Sequence, residues 1–294
     1  MTQERKGYEL LLGNIAALTV FYLLLDFVMR EWSLTVDQVM FWGWGGASIL
    51  ITPFFLAGKK SRRNLKEEWA RHKKLIVGLA AITVLAAALI VSGLALAGSG
   101  PAVLLENIQP IFASILGVMF LAERFTKREL FSSIIMLIGV VLIGSLKGEV
   151  PLMAVLFITA SSFFYALQSF LFKRYGTKAH VFSFTFLRGW FVALLIMAYV
   201  FITGRFTVLP LPALGIIFFI YILGILVSRY FFFQAHKYLE VSKLNIFLLL
   251  QPIGVLAGTY LFFADPMPLQ KILGAVLILG GGYFFVKSRK KAQE

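Results

Sequence analysis

Glu106 is the acidic residue hardest to account for, because it lies well inside an apolar run while the other acidic side chains fall at termini, in connections or at run edges. A carboxylate roughly 8 Å below the end of a membrane helix costs several kcal/mol unless it is paired, hydrated or protonated. It either lines a watery cavity, where it binds a cationic group or carries a coupling proton, or is held by the helix N-terminus that follows Pro101. Gln109 is three residues on and shares its face on a continuous helix, while Asn107 points to a neighbouring helix. Pro110 removes a backbone donor and can open the helix near mid-membrane, leaving carbonyls for a ligand; a structural kink is the alternative. Gln251-Pro252 repeats this helix-break pattern in a later run.

Arg188 and Arg229 also fall within apolar runs. Each can hold a carboxylate or phosphate through its planar fork of donors, and Arg229 alternatively snorkels to the headgroups. Tyr22 and Tyr165 occupy matching places in the first and sixth runs. With Phe21, Phe164 and Trp44 they form an aromatic wall for an apolar or cationic ligand, or simply pack. Gln168 is three residues from Tyr165 and shares its face, and Asn245 bonds across helices. Glu106, Arg188 and Arg229 together describe a cavity with acidic and basic ends, suited to a zwitterion such as an amino acid.

The elements that must position these residues are set by composition. The chain is 60% hydrophobic and 14% charged with a mean hydropathy of +0.87, which marks an all-α, polytopic membrane protein. Apolar runs long enough to cross a bilayer read at 8–28, 35–56, 75–97, 101–122 and 129–146, then at 151–172, 180–203, 212–235, 242–263 and 269–286. That predicts ten transmembrane helices, separated at the weakest points by Gly98-Ser99-Gly100-Pro101 and Lys147-Gly148-Glu149-Val150-Pro151. The first run reads as a retained helix, not a cleaved signal. The absence of cysteine excludes thiol chemistry, disulfides and thiolate metal sites. His72, His180 and His236 lie in or beside connections, so no metal cluster or Ser-His pair can be assembled within the spans, and no cofactor is expected. This argues against an enzyme.

A net charge of +14 invites a nucleic-acid reading, but its placement opposes it. With ten spans, only Arg30, Lys147, Arg205 and Lys271 lie on the outer side, Arg188 and Arg229 lie in spans, and every other basic residue lies inside. That bias places both termini in the cytoplasm of an inner-membrane protein. The basic run 59–74 is then a topological anchor facing anionic lipid, not a nucleic-acid site.

Shifted by 142 positions, Gln109-Pro110 falls on Gln251-Pro252, Gly139 on Gly281 and Glu123 on Asp265; one position off that register, Phe21-Tyr22 matches Phe164-Tyr165. Two halves follow, 1–148 and 149–294, each of five helices. An odd number of spans inverts the second half, and inverted repeats are the architecture of alternating access in transporters. Gly254 and Gly258 form a GxxxG pair for close helix approach inside the chain, with a homodimer the lesser use, so a monomer suffices.

Pro110, the following Phe120-Leu121-Ala122-Glu123-Arg124-Phe125-Thr126 and the later Gly139-Val140-Val141-Leu142 resemble the EamA-type branch of the drug/metabolite transporter superfamily. The second half repeats the pattern as Gln251-Pro252, Phe262-Phe263-Ala264-Asp265-Pro266-Met267-Pro268 and Gly280-Gly281-Gly282. Ala122 and Asp265-Pro266-Met267-Pro268 depart from it at membrane edges. The resemblance implies ten helices, inward termini, a central cavity and movement of a small metabolite. The expected function is a secondary transporter, an exporter or exchanger of an amino acid or related amphipathic compound. An organic-cation or drug transporter, a passive channel and a non-transporting sensor or scaffold are the rivals.

Overall fold

The computed structural model describes residues 3–121, 127–144, 150–176, 178–235, 238, 248, 250–264 and 266–293. Residues 122–126, 145–149 and 241–247, with His236 and Asp265, lie outside the described residues; they include most of the turn motif, its acidic repeat mate and Asn245. Every regular element among the described residues is helical: α1 (Gln3–Glu31); α2 (Val36–Met40), a π-helical stretch (Phe41–Gly46) and α3 (Ala47–Ala57); α4 (Lys59–Ala97); α5 (Ser99–Glu106); α6 (Gln109–Leu121); α7 (Lys127–Gly144). Then follow α8 (Leu152–Tyr175); α9 (Val181–Ile202); α10 (Leu211–Tyr221), a second π-helical stretch (Ile222–Ser228) and α11 (Arg229–Ala235); α12 (Gln251–Phe263); α13 (Leu269–Gln293).

Among the described residues, six helical spans, Arg5–Glu31, Val36–Ala57, Lys59–Ala97, Leu152–Phe172, Val181–Ile202 and Leu211–Phe232, are long and apolar enough to cross a membrane. The fourth predicted span is divided at Asn107-Ile108, and Leu130–Gly139, Gln251–Phe263 and Leu269–Phe284 are further apolar helical segments within the fifth, ninth and tenth. The expected connection 57–74 is largely absent, because the basic run is helical and continues into the third span. A kink at His72 (φ −124°, ψ 16°) separates the two parts. Beside that kink one Glu68 carboxylate oxygen lies 2.7 Å from His72 Nδ1 without hydrogen-bond geometry, and the other accepts the His180 backbone N–H at 2.9 Å.

The packing of the helices repeats. α4 runs along α8 and α9, just as the α10–α11 rod runs along α1 and the first π-helical stretch. α6 lies on α8 as α12 lies on α1, α5 meets α12, and α7 meets α13. Exchanging the halves converts each of these contacts into another of the set. The 142-residue shift holds at atomic detail between α7 and α13. A Cβ on Gly139 would stand 2.8 Å from the Gly274 carbonyl oxygen and 2.8 Å from Ile278; one on Gly281 would stand 3.1 Å from the Ser132 carbonyl oxygen and 2.8 Å from Met136. Shifting Gly139, Ser132 and Met136 by 142 gives Gly281, Gly274 and Ile278. Glycine is required at both places because backbone approaches backbone there. Gly254 and Gly258 likewise face Thr19 and Leu23 of α1 in the same chain. Around these seams a continuous core of Leu25, Val28, Leu94, Leu104, Leu105, Val192, Ile217 and Ile220 fixes the helices in place.

Candidate functional site

At the centre of the bundle, α1, the first π-helical stretch, α4, α8, α9 and the α10–α11 rod enclose a cavity. Its wall carries Phe21, Tyr22, Trp44, Thr83, Tyr165, Arg188, Tyr221 and Arg229. Its volume is about 60 Å³, room for a few water molecules and far below the roughly 300 Å³ at which small-molecule pockets begin.

Six of the residues singled out from the sequence meet here: Phe21, Tyr22, Trp44, Tyr165, Arg188 and Arg229. Glu106 stands behind Tyr22, whose hydroxyl donates to the Glu106 Oε2 at 2.6 Å. Tyr165 lies instead under the Arg229 guanidinium, whose Cζ is 5.4 Å from the ring centroid, a cation–π distance. Arg188 is 1% exposed, and its Nε has no hydrogen-bond partner. Among the described residues no carboxylate comes within ion-pairing distance of Arg188 or Arg229. The aromatic wall turns the corner by edge contacts, Phe21 to Tyr22 and Phe21 to Tyr221 each at 5.5 Å and Trp44 to Tyr221 at 6.2 Å.

Other expected members stand elsewhere. Phe164 packs edge-on against Phe163 and is not part of the wall. Gln168 is buried one layer back and donates to Thr83 Oγ1. Thr83 in turn donates to the Leu79 carbonyl at 2.6 Å, so Gln168 orients a wall residue without lining the cavity. Gln109 does not reach the cavity, since its shared face with Glu106 assumed one continuous helix and α5 ends at Glu106. The same break leaves Glu106 at the C-terminal end of α5, so the helix N-terminus does not hold its carboxylate. Asn107 turns back to the Val103 carbonyl of its own helix at 2.7 Å and does not reach a neighbour.

Pro110 explains the break. Its missing N–H would have met the carbonyl four residues back, that of Glu106, and that oxygen instead lies 3.3 Å from the Ser162 hydroxyl of α8, which shares its proton with the closer Ile158 carbonyl at 2.9 Å. Asn107 and Ile108 close the turn with bonds to carbonyls three residues back, at 3.1 and 3.3 Å. In the second half, Gln251 opens α12 and Pro252 sits in its first turn, where no intrahelical donor is lost.

Tyr221 and Thr83 are wall residues that the sequence did not single out. Tyr221 and Arg229 are eight apart, about 80° round an α-helix. The intervening π-helical stretch changes that phase, and both face the cavity. Pi-helical stretches concentrate at functional sites, and both of those present here border this one. A stepped run of local apolar residues carries no sign of either.

A second, larger cavity of about 590 Å³ opens at the end of the bundle remote from the chain termini. Asp26, Met29, Arg30, Leu94, Gly98 and Lys271 line it, and Leu94 is common to the walls of both cavities.

The sequence profile of the EamA-like transporter family matches residues 5–145 and again 152–287. An uncharacterized transporter of Archaeoglobus fulgidus is 28% identical over 196 residues, covering 65% of this chain and 69% of that protein. A protein of known crystal structure superposes with a TM-score of 0.62 at 16% identity, covering 97% of this chain and 98% of the other, a likeness of fold alone.

Proposed function

Since this chain belongs to the EamA-like transporter family, we propose that it is a secondary carrier of a small zwitterionic or anionic metabolite, of which an amino acid is the simplest example. The observation that carries this reading is the pair Arg188 and Arg229, two guanidinium groups in the wall of one bundle-centre cavity with no carboxylate partner among the described residues. In so dry a site an incoming carboxylate gains charge-assisted, forked hydrogen bonds from both. Glu106, reached through Tyr22, is the group for a ligand ammonium or a coupling proton, and the aromatic wall takes the apolar part. A net organic cation is the poorer match, because two fixed positive charges oppose it.

Transport in this reading is alternating access of two inverted halves, 1–148 and 149–294, in an inner membrane with both termini in the cytoplasm. What supports it is the exchange symmetry of the helix contacts and the profile match to each half. A cavity of about 60 Å³ has no room for cargo as it stands, so the halves must part to admit it. One chain encloses the whole cavity, so a monomer is sufficient.

Purified protein is to be screened by thermal unfolding against amino acids, organic acids and quaternary amines, because a ligand bound at 100 times its Kd stabilises by about 2.7 kcal/mol. Carboxylate-bearing hits are expected to lose their stabilisation in Arg229→Gln and to support counterflow in proteoliposomes. Stabilisation by quaternary amines alone, or hits indifferent to both arginines, would overturn the proposal.

A further inference from the structure

The vestibule remote from the termini contains an ammonium that has no carboxylate partner among the described residues. Lys271 is only 4% exposed, yet it lines the 590 Å³ cavity. It lies in the first turn of α13, where the helix dipole is positive and repels an ammonium. Its Nζ donates to the Pro266 carbonyl at 3.3 Å, one bond for a group with three donors.

Asp26 is the acidic residue in the lining, and its carboxylate is fully engaged. Oδ1 takes Arg30 Nε at 2.7 Å, and Oδ2 takes Arg30 Nη2 at 3.1 Å and both the Ser99 N–H and hydroxyl at 2.8 Å. Arg30 is also laid over the Phe263 ring at 5.1 Å. Gly98, at φ 77°, makes the arrangement possible, since a Cβ there would stand 2.7 Å from Arg30 Nη2. Asp26 is thus taken up by Arg30 and Ser99, and Lys271 is the lining cation with no carboxylate partner among the described residues.

A nearly buried ammonium that faces an open cavity and meets no carboxylate among the described residues is a place for an oxyanion. We propose that Lys271 is a recruiting site for the carboxylate or phosphate of a small solute, which is held there before passing Leu94 to the central arginines. The proposal deepens the carrier reading by giving the cargo an anionic group and a first station on its path.

The test uses the full chain in nanodiscs of phosphatidylcholine. Pyridoxal 5′-phosphate, an anionic aldehyde, is applied and the lysine adduct reduced and located by mass spectrometry, with phosphate-free pyridoxal as control. Electrostatic capture is expected to make Lys271 react about tenfold or more faster with the phosphorylated reagent, and inorganic phosphate or L-glutamate to slow that reaction saturably. Equal rates with the two reagents, or no protection by either anion, overturn the proposal. Nanodiscs containing phosphatidylglycerol distinguish the source: protection by that lipid alone assigns the site to a headgroup and overturns it as a solute station. Asp265→Asn is run in parallel, and an anion site that appears only in this variant also overturns it. Protection of Lys271 without counterflow of any carboxylate-bearing solute would leave this site standing while the carrier reading fails.

Discussion

Tyr22 and Tyr165 hold matching places in the two halves, yet their partners carry opposite charge. Tyr22 donates to the Glu106 carboxylate, and Tyr165 lies under the Arg229 guanidinium. Shifted by 142, Glu106 falls on Leu248, and Arg229 falls on Ala87, itself a residue of the cavity wall. The scaffold repeats, and the polarity does not. Arg188 allows scaffold and function to be told apart, because a buried guanidinium with no counter-charge is a burden on folding. Arg188→Met keeps the bulk and removes the charge. Its unfolding temperature is expected to hold or rise, while affinity for a carboxylate-bearing ligand falls about a hundredfold, within the 2–5 kcal/mol typical of a lost buried charge contact. A variant that loses stability and keeps affinity would assign Arg188 to the scaffold. These charged residues were legible because their types are expensive within an apolar run. Tyr221 was not, because an aromatic residue in such a run reads first as packing.

At the scale of elements, the informative features are departures from the α-helix. The break after Glu106 and the two π-helical stretches place Glu106, Trp44, Tyr221 and Arg229 where a regular helix would not. Proline at 110 was visible from the start, but not which carbonyl it frees or that Ser162 of a distant helix takes it up. That pairing predicts a non-additive cycle. Ser162→Ala alone leaves the Glu106 carbonyl without its donor and is expected to cost about 1–3 kcal/mol. After Pro110→Ala restores a backbone donor, the same Ser162 change is expected to cost little, so the two changes couple in a double-mutant cycle. Additive values from chemical unfolding in detergent would deny the link. The π-helical stretches had no sequence signature, since Phe41–Gly46 and Ile222–Ser228 are built from residues equally at home in an α-helix. Their packing is specific all the same: a Cβ on Gly43 would fall within the Tyr221 ring's contact shell, so the first stretch is fitted to a residue beside the second.

For the whole molecule, the 142-residue shift was the most legible feature, and its expression is a seam between α7 and α13 in which each half presents a glycine to the other's backbone. Gly139→Leu and Gly281→Leu are expected to be similarly destabilising, about 1–3 kcal/mol each, because each forces the same two helices apart. Unfolding midpoints that differ widely would show that the seam is not shared equally. Among the described residues six helices stand out by length and composition. Apolar runs can be counted from composition, but the break at Pro110 is a matter of which backbone bonds close, and composition does not carry it. The unequal decoration of an otherwise repeated frame also bears on selectivity. The guanidinium pair and the aromatic rings stand on the cavity wall, while the Glu106 carboxylate lies behind Tyr22. Anything entering the chamber therefore meets cations and ring faces directly, and the acid only through the Tyr22 hydroxyl.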